Sequence, residues 1–179
     1  PERDPGDQKK AAALTILAAA LGGSAQTSIM ATKLQFESQI ALYASAGYDG
    51  TSFDDTTFNL ALVPAPGIGM AEAERAMDAV LADVMKNGID AEQFDRIKTQ
   101  IHADNIYAED SVMGLARRYG EALTTGLTIE DVQAWPAVLD AVTVEDVKAA
   151  AIDVLDKRRS VTGWMMPETA SDDTTELMQ

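Results

Sequence analysis

The chain has 179 residues with a formal net charge of −15, from 14 Lys and Arg against 29 Asp and Glu. That balance repels a nucleic-acid backbone or an anionic membrane surface, and the 46% hydrophobic content suits one ordinary folded domain. With no cysteine, the sequence holds no disulfide, thiolate metal site or thiol nucleophile, and no apolar run approaches the ~20 residues that cross a bilayer. The alanine-rich segment 11–23 follows acids and prolines rather than a basic leader, and a chain that opens on Pro1 reads as a fragment of a longer protein.

In chain order, residues 7–21 predict a helix capped by Asp7, with Leu14, Leu17, Ala18 and Leu21 on one face and Gly22-Gly23 closing it. Residues 24–38 are compatible with a second helix carrying Ile29, Lys33 and Phe36 on one side. The pattern then switches to period two. Residues 40–48 predict a strand that puts Ile40, Leu42, Ala44, Ala46 and Tyr48 on the core face, and Asp49-Gly50 signals a turn. A second strand over 58–63, with Phe58, Leu60 and Leu62 alternating against Asn59, Ala61 and Val63, stops at Pro64 and Pro66, so the pair reads as a hairpin.

From Met70 the period becomes helical. Ala73, Met77, Val80, Leu81 and Val84 form one stripe ending at Asn87-Gly88, Asp90 to Gln93 has capping-box spacing for a helix to about Tyr107, and Ser111 to Thr125 continues in the same way. The echo TIEDV at 128 and TVEDV at 143 marks two further helix starts, Thr128 with Asp131 and Thr143 with Asp146. Residues 160–166 predict a third strand, and 167–179 an acidic, mobile tail. Three strands are few for a sheet of this span, and a strand upstream of Pro1 would complete it. The order is α+β, with a mixed or antiparallel sheet carrying helices on one face, in one domain over 1–166.

Candidate chemistry is sparse. The one histidine, His102, cannot build a zinc site that takes three protein ligands, and it shares a helix with Asp104, Asn105 and Glu109 and reads as a partly exposed helix residue. No G-x-S-x-G elbow accompanies it. PAPGIG at 64–69 has the glycines of a phosphate loop but no following Gly-Lys, and Glu72 would repel a phosphate, so it reads as a strand-to-helix connection. Asp54 and Asp55 sit at a hairpin tip, and Glu130-Asp131 and Glu145-Asp146 at helix N-termini where the macrodipole favours them.

The ordered series ILAAALGG (16–23), TKLQFESQIALYASAGYDG (32–50), FNLALVPAPG (58–67), AERAMDAVLADVMKNGIDAEQFDRIKTQI (73–101) and VTVEDVKAAAIDVLDKRRSVTGWMMP (142–167) resembles the pitrilysin/insulinase family of zinc metallopeptidases, in its domain without a metal site. The resemblance implies repeated copies of one α+β domain enclosing a chamber, with zinc held by an inverted H-x-x-E-H motif on another domain. None of that motif occurs here, so the chain itself is expected to carry no cofactor and the zinc to reside on a partner domain or subunit. The family's R-E-x-x-G-x-x-Y pattern, whose Arg and Tyr reach the substrate, falls on Gln35 and Leu42, both changed. By period two, Tyr43 would point to the opposite face from Leu42.

The resemblance also implies a role: a non-catalytic domain that closes the chamber and helps hold an extended peptide, by strand addition, for a zinc-bearing partner in a homo- or heterodimer. The alternatives are a purely structural subunit of the same fold, and an unrelated α+β ligand-binding module. Bacterial relatives suggest a periplasmic location, with the cytoplasm as the other option.

Overall fold

The computed structural model describes residues 5–54 and 56–166; residues 1–4, Asp55 and the segment 167–179 lie outside them. The first helix, α1 (Lys9–Gly22), is the centre of the molecule. Ala11, Ala12, Ala13, Leu14, Ile16, Leu17, Ala18, Ala20 and Leu21 are all buried, so the helix is covered around most of its circumference, with only Thr15 and Ala19 half-buried between Ala11 and Leu21, rather than along the single stripe its leucines suggest. A helix apolar all round belongs inside a core, and its many alanines let neighbours approach closely on every side. Apart from Thr15, whose hydroxyl donates to the Ala11 carbonyl at 2.9 Å, its polar side chains are at the N-terminal end. Lys9 and Lys10 leave the first turn to pair with Asp146 and Asp153 at 2.8 and 2.7 Å. Lys9 leads the causes that hold the Asp146 carboxyl below its ordinary range, and Lys10 leads those acting on Asp153.

The expected cap at Asp7 is not used. Gln8 occupies the cap position without a side-chain cap bond, and its buried amide donates instead to the Asp131 carbonyl at 3.0 Å. After Gly23 the chain turns through residues 24–28 and forms a π-helical stretch, Ala31–Glu37, in which the Ser38 amide reaches back five residues to the Lys33 carbonyl. This wider turn changes which residues face inward: Ser28, Met30, Ala31 and Leu34 are buried, whereas Phe36 is 57% exposed. The grouping of Ile29, Lys33 and Phe36 on one side rests on a continuous helix of 3.6 residues per turn, which the π-helical stretch interrupts.

Strands β1 (Ala41–Tyr48) and β2 (Phe58–Pro64) pair antiparallel as a two-stranded sheet, the only one among the described residues. Tyr48 stacks on Phe58 across the pair with ring centroids 6.4 Å apart. One face lies on the core, where Ala41 and Ala44 are buried and Ala46, Leu60 and Leu62 are packed partly buried. The register slips between Ala41, opposite Pro64, and Tyr43, opposite Val63: β1 spends two steps where β2 spends one. That bulge overturns the expectation that Leu42 is a core residue. Leu42 is the extra residue, and it is 62% exposed beside Tyr43 at 48%, so the strict alternation that would separate them is broken.

Gly67, with φ of +87°, and the bond from Ile68 N to Ala65 O make PAPGIG a tight strand-to-helix turn. Helices α2 (Met70–Asn87), α3 (Ala91–Glu109), α4 (Val112–Thr124), α5 (Ile129–Ala141) and α6 (Val144–Val154) follow. The two TxxD echoes are complete capping boxes at α5 and α6. Asp90 caps α3 by accepting from the Glu92 and Gln93 amides, but the Gln93 side chain does not close the box. It donates to the Ala20 and Thr27 carbonyls, tying the start of α3 to the end of α1. His102 is exposed on α3.

The expected third strand does not form. Residues 160–166 follow a 3₁₀ turn, Lys157–Arg159, without sheet pairing; Val161 is 99% and Met165 90% exposed. Period two shapes a strand only where a neighbour offers a ladder, and among the described residues none does. The segment is instead held beside α2, where Trp164 Nε1 donates to Glu74 at 3.1 Å and Lys157 pairs with Asp78.

Among the described glycines, Gly22 is the one packed most tightly, against β1, where a Cβ would overlap the Ser45–Ala46 peptide. Gly22→Ala is expected to destabilise the chain by at least ~2 kcal/mol through overpacking against backbone. Gly47→Ala, with open space at its Cβ, should stay within about 0.5 kcal/mol. Urea midpoints of the two variants check this directly.

Candidate functional site

The two sequence-predicted site residues come together, although not as the motif implies. Gln35 lies in the π-helical stretch and Leu42 at the β1 bulge, and the widened helical turn aims the Gln35 amide at the strand. Oriented so that each atom meets its complement, the amide donates from Nε2 to the Leu42 carbonyl at 3.2 Å and accepts from the Ala44 amide at 3.1 Å. Residues i and i+2 of a strand present their carbonyl and amide to the same side, so this pair is the slot that the peptide group of an added strand would fill. Gln35 fills it with a side chain of the same functional group.

The register fixes what this means for the sheet. Since the Ala44 amide points to Gln35, the pairs Ala44↔Leu62, Ala46↔Leu60 and Tyr48↔Phe58 are non-hydrogen-bonded, and Tyr43, Ser45 and Gly47 carry the ladder to Val63, Ala61 and Asn59. The outer edge of β1 is therefore the row Leu42, Ala44, Ala46, with Gln35 engaging its first step. Beside it, on the helix-free face of the sheet, stand the exposed side chains of Leu42, Tyr43 and Val63.

This site has no reacting group. Gln35 and Leu42 do not titrate, His102 is remote in sequence on the exposed side of α3, and among the described residues no cluster of three His, Asp or Glu could hold a metal ion. The arrangement can bind a polypeptide backbone and cover it with apolar side chains; it cannot activate water. The bulge and the π-helical stretch are the features that sequence reasoning missed. Neither leaves a periodicity signal, because each inserts a single residue into an otherwise regular pattern.

Comparison with known proteins places the chain. Residues 2–101 match the family model described as the peptidase M16 inactive domain, and the chain belongs to that family, the metal-free domain of the insulinase-type peptidases. The inactive peptidase domain of a protein assigned as a zinc protease from Bordetella parapertussis superposes with a TM-score of 0.80 at 14% identity, covering 93% of this chain and 89% of that one. A protein from Bordetella pertussis Tohama I, also assigned as a zinc protease, gives 0.72 at 15% identity over 84% of this chain and 81% of that one. A protease from Helicobacter pylori gives 0.76 at 20% identity, covering 82% of this chain but only 35% of its own. At these identities the likeness is one of fold, and the chain spans about a third of the Helicobacter protein. Among curated proteins none matches significantly.

Because the bulge turns Leu42 out of the core, Leu42→Asp is expected to change stability by no more than about 0.5 kcal/mol, where a buried leucine would cost several. Thermal and urea unfolding of the variant measure it.

Proposed function

We propose that this inactive peptidase domain closes the proteolytic chamber of a zinc-bearing domain or subunit and holds an extended peptide along the outer edge of β1. The observation that carries the reading is the Gln35 amide seated on the Leu42 carbonyl and the Ala44 amide. A slot that accepts a primary amide in this geometry accepts a peptide group, and the exposed Leu42 and Tyr43 side chains flank it with apolar surface. In this reading Gln35 is a placeholder that a substrate strand displaces, and Leu42 contacts the incoming strand's side chains. The domain contributes orientation and exclusion of water, which lower a barrier without any reacting group. Zinc, and the Glu that works with it, belong to the partner.

The experiment is hydrolysis of an unstructured peptide by the zinc-bearing partner, with and without this chain in its full-length protein. The chain is expected to raise turnover at unchanged zinc content, and to be inert alone. Gln35→Ala should lower the KM of the assembly several-fold by vacating the slot. Equal rates with and without the chain would leave only the purely structural role. A raised KM in Gln35→Ala would make Gln35 a direct ligand of the peptide rather than its stand-in.

A further inference from the structure

A second feature lies away from the β1 edge, in a cavity of about 200 Å³ between α4, α5 and the loop after β1. Its floor includes buried Val132, and Thr51 of the loop forms one wall. Two consecutive arginines, Arg117 and Arg118, line it together with Glu121. The volume would hold roughly six waters at ~30 Å³ each, enough for a carboxylate and a small side chain.

The two arginines are in different states. Arg117 is engaged, its Nε donating to Glu121 one helical turn on at 2.6 Å. Arg118 is half-buried and, among the described residues, makes no hydrogen bond or ion pair. In a chain with more than twice as many acids as bases, a half-buried guanidinium without a carboxylate is a departure from the surrounding pattern. Its five donors form a planar fork suited to a two-oxygen acceptor.

We infer that this cavity is a binding site for the free C-terminal carboxylate of a peptide, with Arg118 as the bidentate donor and Thr51 at the mouth. The charge count selects the ligand class. Two arginines and one glutamate leave the cavity at +1, which suits a monoanion, whereas a dianionic phosphate would meet Glu121 and the field of the whole chain. Gly114 and Ala122, which also line the cavity, leave room for the last side chain of a peptide to enter with its carboxylate. The cavity shares no residue with the β1 slot, so either site can bind without the other.

The test uses the 179-residue chain with ¹⁵N-arginine and follows the Nε–Hε resonances of Arg117 and Arg118. The probes are acetyl-trialanine with a free C-terminus, the same peptide amidated, and inorganic phosphate. The free acid should shift the Arg118 resonance saturably in the millimolar range, and the amide should not. Arg118→Lys, which keeps the charge but loses the fork, should bind at least fivefold more weakly, and Glu121→Gln, which releases Arg117, several-fold more tightly. An equal response to the amidated peptide, a stronger response to phosphate, no saturable shift, or unchanged affinity in Arg118→Lys would each overturn the assignment.

Discussion

The structure depends on the near-complete burial of one helix. Every inward and outward face of α1 between Ala11 and Leu21 is occupied by a neighbour, apart from Thr15 and Ala19, which stay half-buried. A helix this apolar cannot sit at a surface, so β1, α3, α5 and α6 are arranged around it. Specific contacts fix each at its place: the missing side chain of Gly22 admits the β1 backbone, Gln93 grips the last turn from α3, Gln8 reaches α5 through the Asp131 carbonyl, and Lys9 and Lys10 bind α6. The Asp131 carboxylate works twice, closing the capping box of α5 with Thr128 and accepting the Gly6 amide at 2.8 Å, which pins the approach to α1. Burying apolar surface supplies the drive, and these few polar contacts select one packing among many.

Much of this was legible in the sequence wherever a local signal had a local cause. The stripe from Ala73 to Val84, the capping boxes at Thr128 and Thr143, the cap at Asp90 and the hairpin of 40–48 with 58–63 each follow from residues within a turn or two of one another. The ordered series of these elements was enough to indicate the insulinase-type domain. What was not legible depended on tertiary partners or on single-residue insertions. Residues 160–166 alternate as a strand should, but alternation does not supply a neighbour. Leu42 fits a core position by counting, and the bulge at that position moves it outside. Gln35 was legible as a position and not as a contact, because the π-helical turn that aims it at β1 has no signature in composition.

These two irregularities, a widened helical turn and a bulged strand, meet at one place. Together they bring a side-chain amide onto a strand edge and turn an apolar side chain out beside it. Exposed strand edges invite unwanted pairing, and one way to blunt such an edge is to cover it. Here the cover is a single residue making two neutral hydrogen bonds, each worth about 1 kcal/mol net, which a longer ladder of peptide bonds can outcompete. The proposed hold on an extended chain therefore requires no catalytic group in this domain.

The measurement that bears most directly on the β1 edge is hydrogen exchange at the Ala44 amide, compared between the native chain and Gln35→Ala under conditions where both are folded. If Gln35 occupies the edge, Ala44 is protected in the native chain and exchanges at least tenfold faster in the variant, while Ser45, bonded to β2, is unchanged. Equal exchange at Ala44 in the two proteins would show that the side chain does not hold the slot, and the role assigned to the β1 edge would fail.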